Sequence, residues 1–190
     1  MRTFSSALIA LTAVIIAATL PAGSAYSQFQ STQFQSTDSE EIKISARYHI
    51  QTGTDQGFLI VKLVIPDGNY IYSTTQTEPL IPSKFVVKAS PQFSVGKKFK
   101  SDKQPKVIKQ DPVLNARLEK HSGTVQFYAP IKVASGTNHK LAQPEVTFSG
   151  QVCSDQGFCV PINGMITKAK FAGFYERQAK SGVPPLNQKK

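Results

Sequence analysis

Between residues 42 and 50 the side chains alternate. Ile42, Ile44, Ala46, Tyr48 and Ile50 are apolar, and Lys43, Ser45, Arg47 and His49 between them are polar. A repeat of two residues puts every apolar group on one face of an extended chain, so this segment is a half-buried strand and not a helix. The same pattern continues downstream. After a loop at residues 52–57, the run FLIVKLVI at 58–65 reads as a more deeply buried strand, stopped by Pro66, Asp67 and Gly68. Residues 69–73 give a further short strand, and Pro79 and Pro82 enforce an irregular connection. Extended segments are expected at 85–87, at 124–129 leading through Pro130 into 131–133, and at 145–148 after turn residues 135–138. The alternating stretch 164–171 (GMITKAKF) should be the last strand, and between 112 and 121 only VLNARLEK offers one or two helical turns. Short strands separated by Gly and Pro loops, with almost no helical period, predict an all-β antiparallel sandwich.

The ends of the chain have other compositions. Met1 and Arg2 give a positive start, residues 7–20 are an almost uninterrupted apolar run, and residues 21–25 (PAGSA) are small. This pattern predicts a cleaved export signal at 1–25, cut after Ala25. The fourteen residues of the run fall short of the roughly 17–25 that a membrane-spanning helix needs. The tandem QFQSTQFQST at 28–37 cannot bury a core, so 26–40 reads as a flexible low-complexity leader. One folded domain is expected at 41–175, followed by a flexible basic tail at 176–190.

The net charge is +10, or +9 once Arg2 leaves with the signal. Lys97, Lys98, Lys100, Lys103, Lys106 and Lys109 concentrate the excess, with Asp102 the one acid among them. Without aromatic residues interleaved to stack bases, the run does not suggest a nucleic-acid surface and reads as a solvated loop or a guarded sheet edge. His49, His121 and His139 are scattered along the chain and read as ordinary surface residues.

Both cysteines, Cys153 and Cys159, lie within CSDQGFC. Five intervening residues are wider than the two to four usual between zinc-binding thiols, and no paired histidines accompany them. In an exported protein a bridge is the default. Ser154, Asp155, Gln156 and Gly157 favour a turn, which would set the two Cα atoms about 5.5–6 Å apart. Asp155 places a negative charge near the sulfurs, which raises a thiol pKa above about 8.5 and restricts fast exchange to partners that supply the low-pKa sulfur. The residues alone leave a structural staple, a metal clip and a redox pair open, and the chemistry of exported bridges favours the staple.

The stretch 151–161 (QVCSDQGFCVP) resembles the active-site hairpin of the N-terminal periplasmic domain of the thiol:disulfide interchange reductase DsbD, with its Cys-x-Asp-x-Gly-Phe-Cys-x-Pro pattern. Upstream, residues 67–72 (DGNYIY) are similar to the Asp-Gly-x-Tyr-x-Tyr segment of the same family, and the resemblance runs over roughly 41–171. It implies an immunoglobulin-like antiparallel β-sandwich whose catalytic pair is Cys153 and Cys159, with Tyr70, Tyr72, Asp155 and Phe158 lining the site. It also implies a periplasmic location and an exchange role in which Cys159 bonds the partner and Cys153 resolves the mixed disulfide. The implied partners are thioredoxin-like periplasmic proteins, of the disulfide isomerase or cytochrome c maturation type, with no organic cofactor, metal, nucleic acid or small-molecule substrate. Two features depart from the family. Residues 110–115 occupy the place of its aromatic cap yet contain no aromatic residue, leaving Leu114 or Val113 to cover the sulfurs. The family's multi-helix membrane domain and thioredoxin-like domain have no counterpart here, so the expected electron donor is a separate membrane protein. The alternative is a non-catalytic immunoglobulin-like interaction domain with a structural bridge.

Overall fold

The computed structural model describes residues 41–112 and 114–176. The expected signal at 1–25, the leader at 26–40, Val113 and all of the tail after Glu176 lie outside the described residues. Among the described residues the chain forms strands and turns, with no helix. The strands are β1 (Lys43–Gln51), β2 (Gln56–Val64), β3 (Asn69–Tyr72), β4 (Lys84–Val87), β5 (Phe93–Val95), β6 (Lys100–Ser101), β7 (Lys106–Ile108), β8 (Leu118–His121), β9 (Thr124–Val133), β10 (Glu145–Ser154), β11 (Cys159–Lys168) and β12 (Lys170–Tyr175).

They build two sheets, making an all-β sandwich. One has the order β12-β1-β2-β9-β5, with β6 also on β9; the other runs β11-β10-β3-β8-β7, with β4 also on β10. Every pairing is antiparallel except β1 with β12. The ten-residue strands β9 and β10 organise the two sheets, each carrying one long neighbour on one side and two short ones on the other. Pro130 is tolerated inside β9 because it falls between the short partners, which pair at Ile131 and at Tyr128. Its carbonyl still accepts the N–H of Gly96 at 2.8 Å, and a Cβ on Gly96 would stand 2.7 Å from the proline ring.

The main core lies between the sheets. Phe85 is its hub, with ring centroids 4.8 Å from Phe127, 5.0 Å from Phe99 and 5.2 Å from Phe148. Tyr48 is fully buried on the apolar face of β1, and its hydroxyl reaches the carbonyls of His139 and Ala142, pinning the β9–β10 connection. Burial pushes that phenol up to about 12. A second, smaller cluster of Tyr70, Tyr72, Leu118 and Cys153 stands apart from this core. Ile71, between the two tyrosines, belongs to the main core, so alternation on β3 puts the small cluster on the outer face of its sheet.

Three expectations change. Residues 118–121 form β8 instead of helical turns, because Ile108 pairs with Leu118 on one side and Ile71 with His121 on the other. The expected last strand at 164–171 is the end of β11 plus the start of β12, in different sheets. The chain crosses between them at the fully buried Ala169, whose N–H donates to the Pro144 carbonyl. His121 is buried, with its ring edge-on to Phe127 at 5.4 Å, and is no surface residue. Desolvation lowers its pKa despite the opposing fields of Asp102 and Glu119. His139 is half-buried and stacked on Phe171, and His49 is half-buried on the polar face of β1. The lysine run behaves as expected: all six side chains are exposed, along β6 and the edge strand β7.

Candidate functional site

Cys153 is the last residue of β10 paired with β11, and Cys159 begins β11, so the two cysteines face each other directly across the ladder. Their sulfurs are bonded at 2.00 Å. The Cα atoms are 3.9 Å apart, closer than the expected spacing of about 5.5–6 Å. The reason is register. The neighbouring pair is closed by the Ser154 N–H donating to the Phe158 carbonyl, which leaves the cysteines on the narrow position of the antiparallel ladder, where Cα atoms approach to about 4.5 Å. Gly157, at φ +94°, closes the turn in a conformation that other residues rarely adopt.

The two stretches noted in the sequence come together here. Tyr70 is the register partner of Cys153, flanked by Asn69 opposite Ser154 and Ile71 opposite Val152. The Asp155 N–H donates to the Gly68 carbonyl at 2.8 Å, clamping the hairpin tip to the turn before β3. Tyr70 and Tyr72 pack edge to face at 5.6 Å beside Cys153. Burial, and then the neighbouring Tyr70 and Asp111, push the Tyr72 phenol well above its usual range, so it is neutral at physiological pH.

The bridge is strongly asymmetric. Cys153 is fully buried, whereas Cys159 is exposed. Phe158 and Val160 on either side of Cys159 in the chain are also exposed, at 75% and 61%. Asp155 is exposed at the tip.

Two loops frame the small cluster. Leu80 from the β3–β4 connection, and Ile108 and Ala116 from either end of the β7–β8 connection, pack against it. Leu114 lies on the latter loop but is exposed and outside this packing; its N–H donates to the Asp111 carboxylate. The Leu80 loop is tied down from below by Glu119, a buried carboxylate on β8. It accepts hydrogen bonds from Ser73 and Thr75 and is paired with Arg117. These hydroxyls, the Ser73 donor foremost, hold the carboxyl below its usual pKa, so it stays charged near neutrality. Leu80, Ile108, Ala116 and Leu118 were not singled out from the sequence. None of them carried a local signal, since LEKH at 118–121 shows no alternation of apolar and polar residues.

No protein-family model matches the sequence, and no curated protein matches it either. Solved structures do. The N-terminal domain of DsbD from Neisseria meningitidis in the reduced form is similar over 66% of this chain and 82% of its own, at 18% identity and a TM-score of 0.37. The N-terminal periplasmic domain of ScsB from Proteus mirabilis is similar over 67% of this chain and 44% of its own, at 12% identity and 0.44. The complex of the DsbD and PilB N-terminal domains from Neisseria meningitidis gives 66% and 80% coverage, 14% identity and 0.40.

Proposed function

We propose that this chain is an exported, periplasmic thiol–disulfide exchange module that passes reducing equivalents between thioredoxin-like proteins through Cys153 and Cys159. The observation that carries this reading is the asymmetry of a single bridge, with one cysteine exposed and the other fully buried. Attack on a disulfide goes to the sulfur that a partner can reach.

A donor thiolate bonds the Cys159 sulfur, the bridge breaks, and Cys153 leaves as the thiolate. The donor's second thiolate then attacks its own bonded sulfur, Cys159 departs, and two electrons have entered the chain while the donor's cysteines become a disulfide. Delivery reverses the order: the Cys159 thiolate opens an acceptor disulfide, and Cys153 attacks Cys159 to release the reduced acceptor. Exposed Phe158 at the hairpin turn provides apolar contact beside the partner's sulfur, and Tyr70 and Tyr72 hold Cys153 in line behind it. A separate membrane protein is the donor in this scheme.

The carrier must survive both oxidation states. A bridge closing a loop of about seven residues contributes roughly 2–2.5 kcal/mol, small beside the burial in the main core. We therefore expect an excess of a reduced thioredoxin-type dithiol to open the bridge, with one dithiol oxidised for each bridge opened, while circular dichroism shows the sheets intact. A bridge that persists under these conditions would end the proposal.

A further inference from the structure

Beside the hairpin, on the same outer face, lies a cleft of about 370 Å³. Tyr70 and Asp155 line it from the cysteine side, Asp67 from the turn before β3, and Lys106 and Lys120 from the ladder of β7 and β8. Those two lysines are direct cross-strand partners. Like charges in that position destabilise a sheet, so the arrangement runs against stability. Among the described residues the ion pairs are Lys88 with Glu145, Arg117 with Glu119 and Lys132 with Asp55, and neither cleft lysine takes part. Lys120 instead lies along the sheet with its ammonium 3.7 Å from the centre of the Tyr70 ring, and Tyr70 is the register partner of Cys153. The cation is thus held one residue from the buried sulfur by an aromatic face, which fixes its place without neutralising its charge.

We propose that Lys106 and Lys120 form a docking site for a carboxylate on the partner, carried by residues next to its reactive cysteine. This rests on the exchange role proposed above and adds the partner's chemistry: an acidic rim around the thiol. Once a partner's sulfur is bonded to Cys159, its flanking residues lie over the hairpin tip, and Asp155 at that tip lines the cleft. The acids of the cleft sit on the two turns and the bases on the β7–β8 ladder, so the partner's carboxylate is directed to the ladder side. Exposed Lys97, Lys98, Lys100, Lys103 and Lys109 extend the positive field beyond the cleft and favour the same partner charge.

The test compares two thiol peptides, acetyl-Glu-Glu-Cys-Gly-amide and acetyl-Gln-Gln-Cys-Gly-amide, reacting with the full oxidised chain at low salt. Comparing each peptide with itself across variants cancels its own thiol reactivity. The double variant Lys106→Gln, Lys120→Gln should slow the acidic peptide by about three- to tenfold, the range for two partly exposed charge contacts, and the neutral one by less than about twofold. The control Lys97→Gln, Lys98→Gln removes the same charge elsewhere and should have a much smaller effect. Equal slowing of both peptides, no slowing, or equal loss in the control would overturn the docking site. If neither peptide opens the wild-type bridge, the exchange role fails on its own, and binding still decides the cleft. The Cys→Ser form of the acidic peptide should then shift the Tyr70 ring resonances while the neutral form does not, and the absence of that difference would overturn the proposal.

Discussion

Cys153→Ala should capture a thioredoxin-like protein as a stable mixed disulfide, and Cys159→Ala should capture about tenfold less. The difference follows from exposure. With Cys153 gone, Cys159 remains at the surface between exposed Phe158 and Val160, free to bond a partner, and no second thiol is in place to break that bond. With Cys159 gone, the remaining thiol lies fully buried under Tyr70, Tyr72 and Leu118, where a partner cannot reach it. Non-reducing gel electrophoresis of acid-quenched extracts, followed by mass spectrometry of the trapped band, makes the comparison. Equal capture by both variants would contradict the assignment of roles.

Phe127→Ala should be the most damaging single change in the main core, lowering stability by about 3–5 kcal/mol and the melting temperature by roughly 10–20 °C. Phe127 is fully buried, touches the ring of Phe85 across the sandwich and receives the edge of His121. A cavity there cannot be refilled by strands locked in their ladders. Because the cysteine cluster packs apart from this core on the outer face, the folded fraction of Phe127→Ala should still exchange at the wild-type rate. Thermal denaturation and exchange kinetics on the same sample separate the two effects, and a parallel loss of both would show that the clusters are one unit.

What could be read in the sequence was whatever depended on near neighbours. Strict alternation placed β1 and its buried face, and turn residues bounded β2, β3 and the cysteine hairpin. Longer-range partners decided the rest. Residues 113–120 (VLNARLEK) are rich in helix formers, yet strands on both sides of β8 impose an extended chain. The alternation at 164–171 passes unbroken through Ala169, so nothing local announces that the chain leaves one sheet for the other there. His121 is buried inside the sandwich while Leu118 of the same strand is buried outside it, because Ile108 at the end of β7 and the loops bearing Leu80 and Ala116 cover the outer face. Alternation reports one buried face and cannot show that the other has been covered as well. The cysteine pair was visible from its motif, but its unequal exposure arises from the sheet on one side and the open edge of β11 on the other.

The reduction potential of the intact chain, measured by equilibrating Cys153 and Cys159 in graded dithiol and disulfide buffers, tests the account most directly. An exchange carrier should fall between about −120 and −270 mV, the span of thioredoxin-type proteins, and return to the same value after repeated cycles. A potential below about −300 mV would mark the bridge as a structural staple and contradict the account.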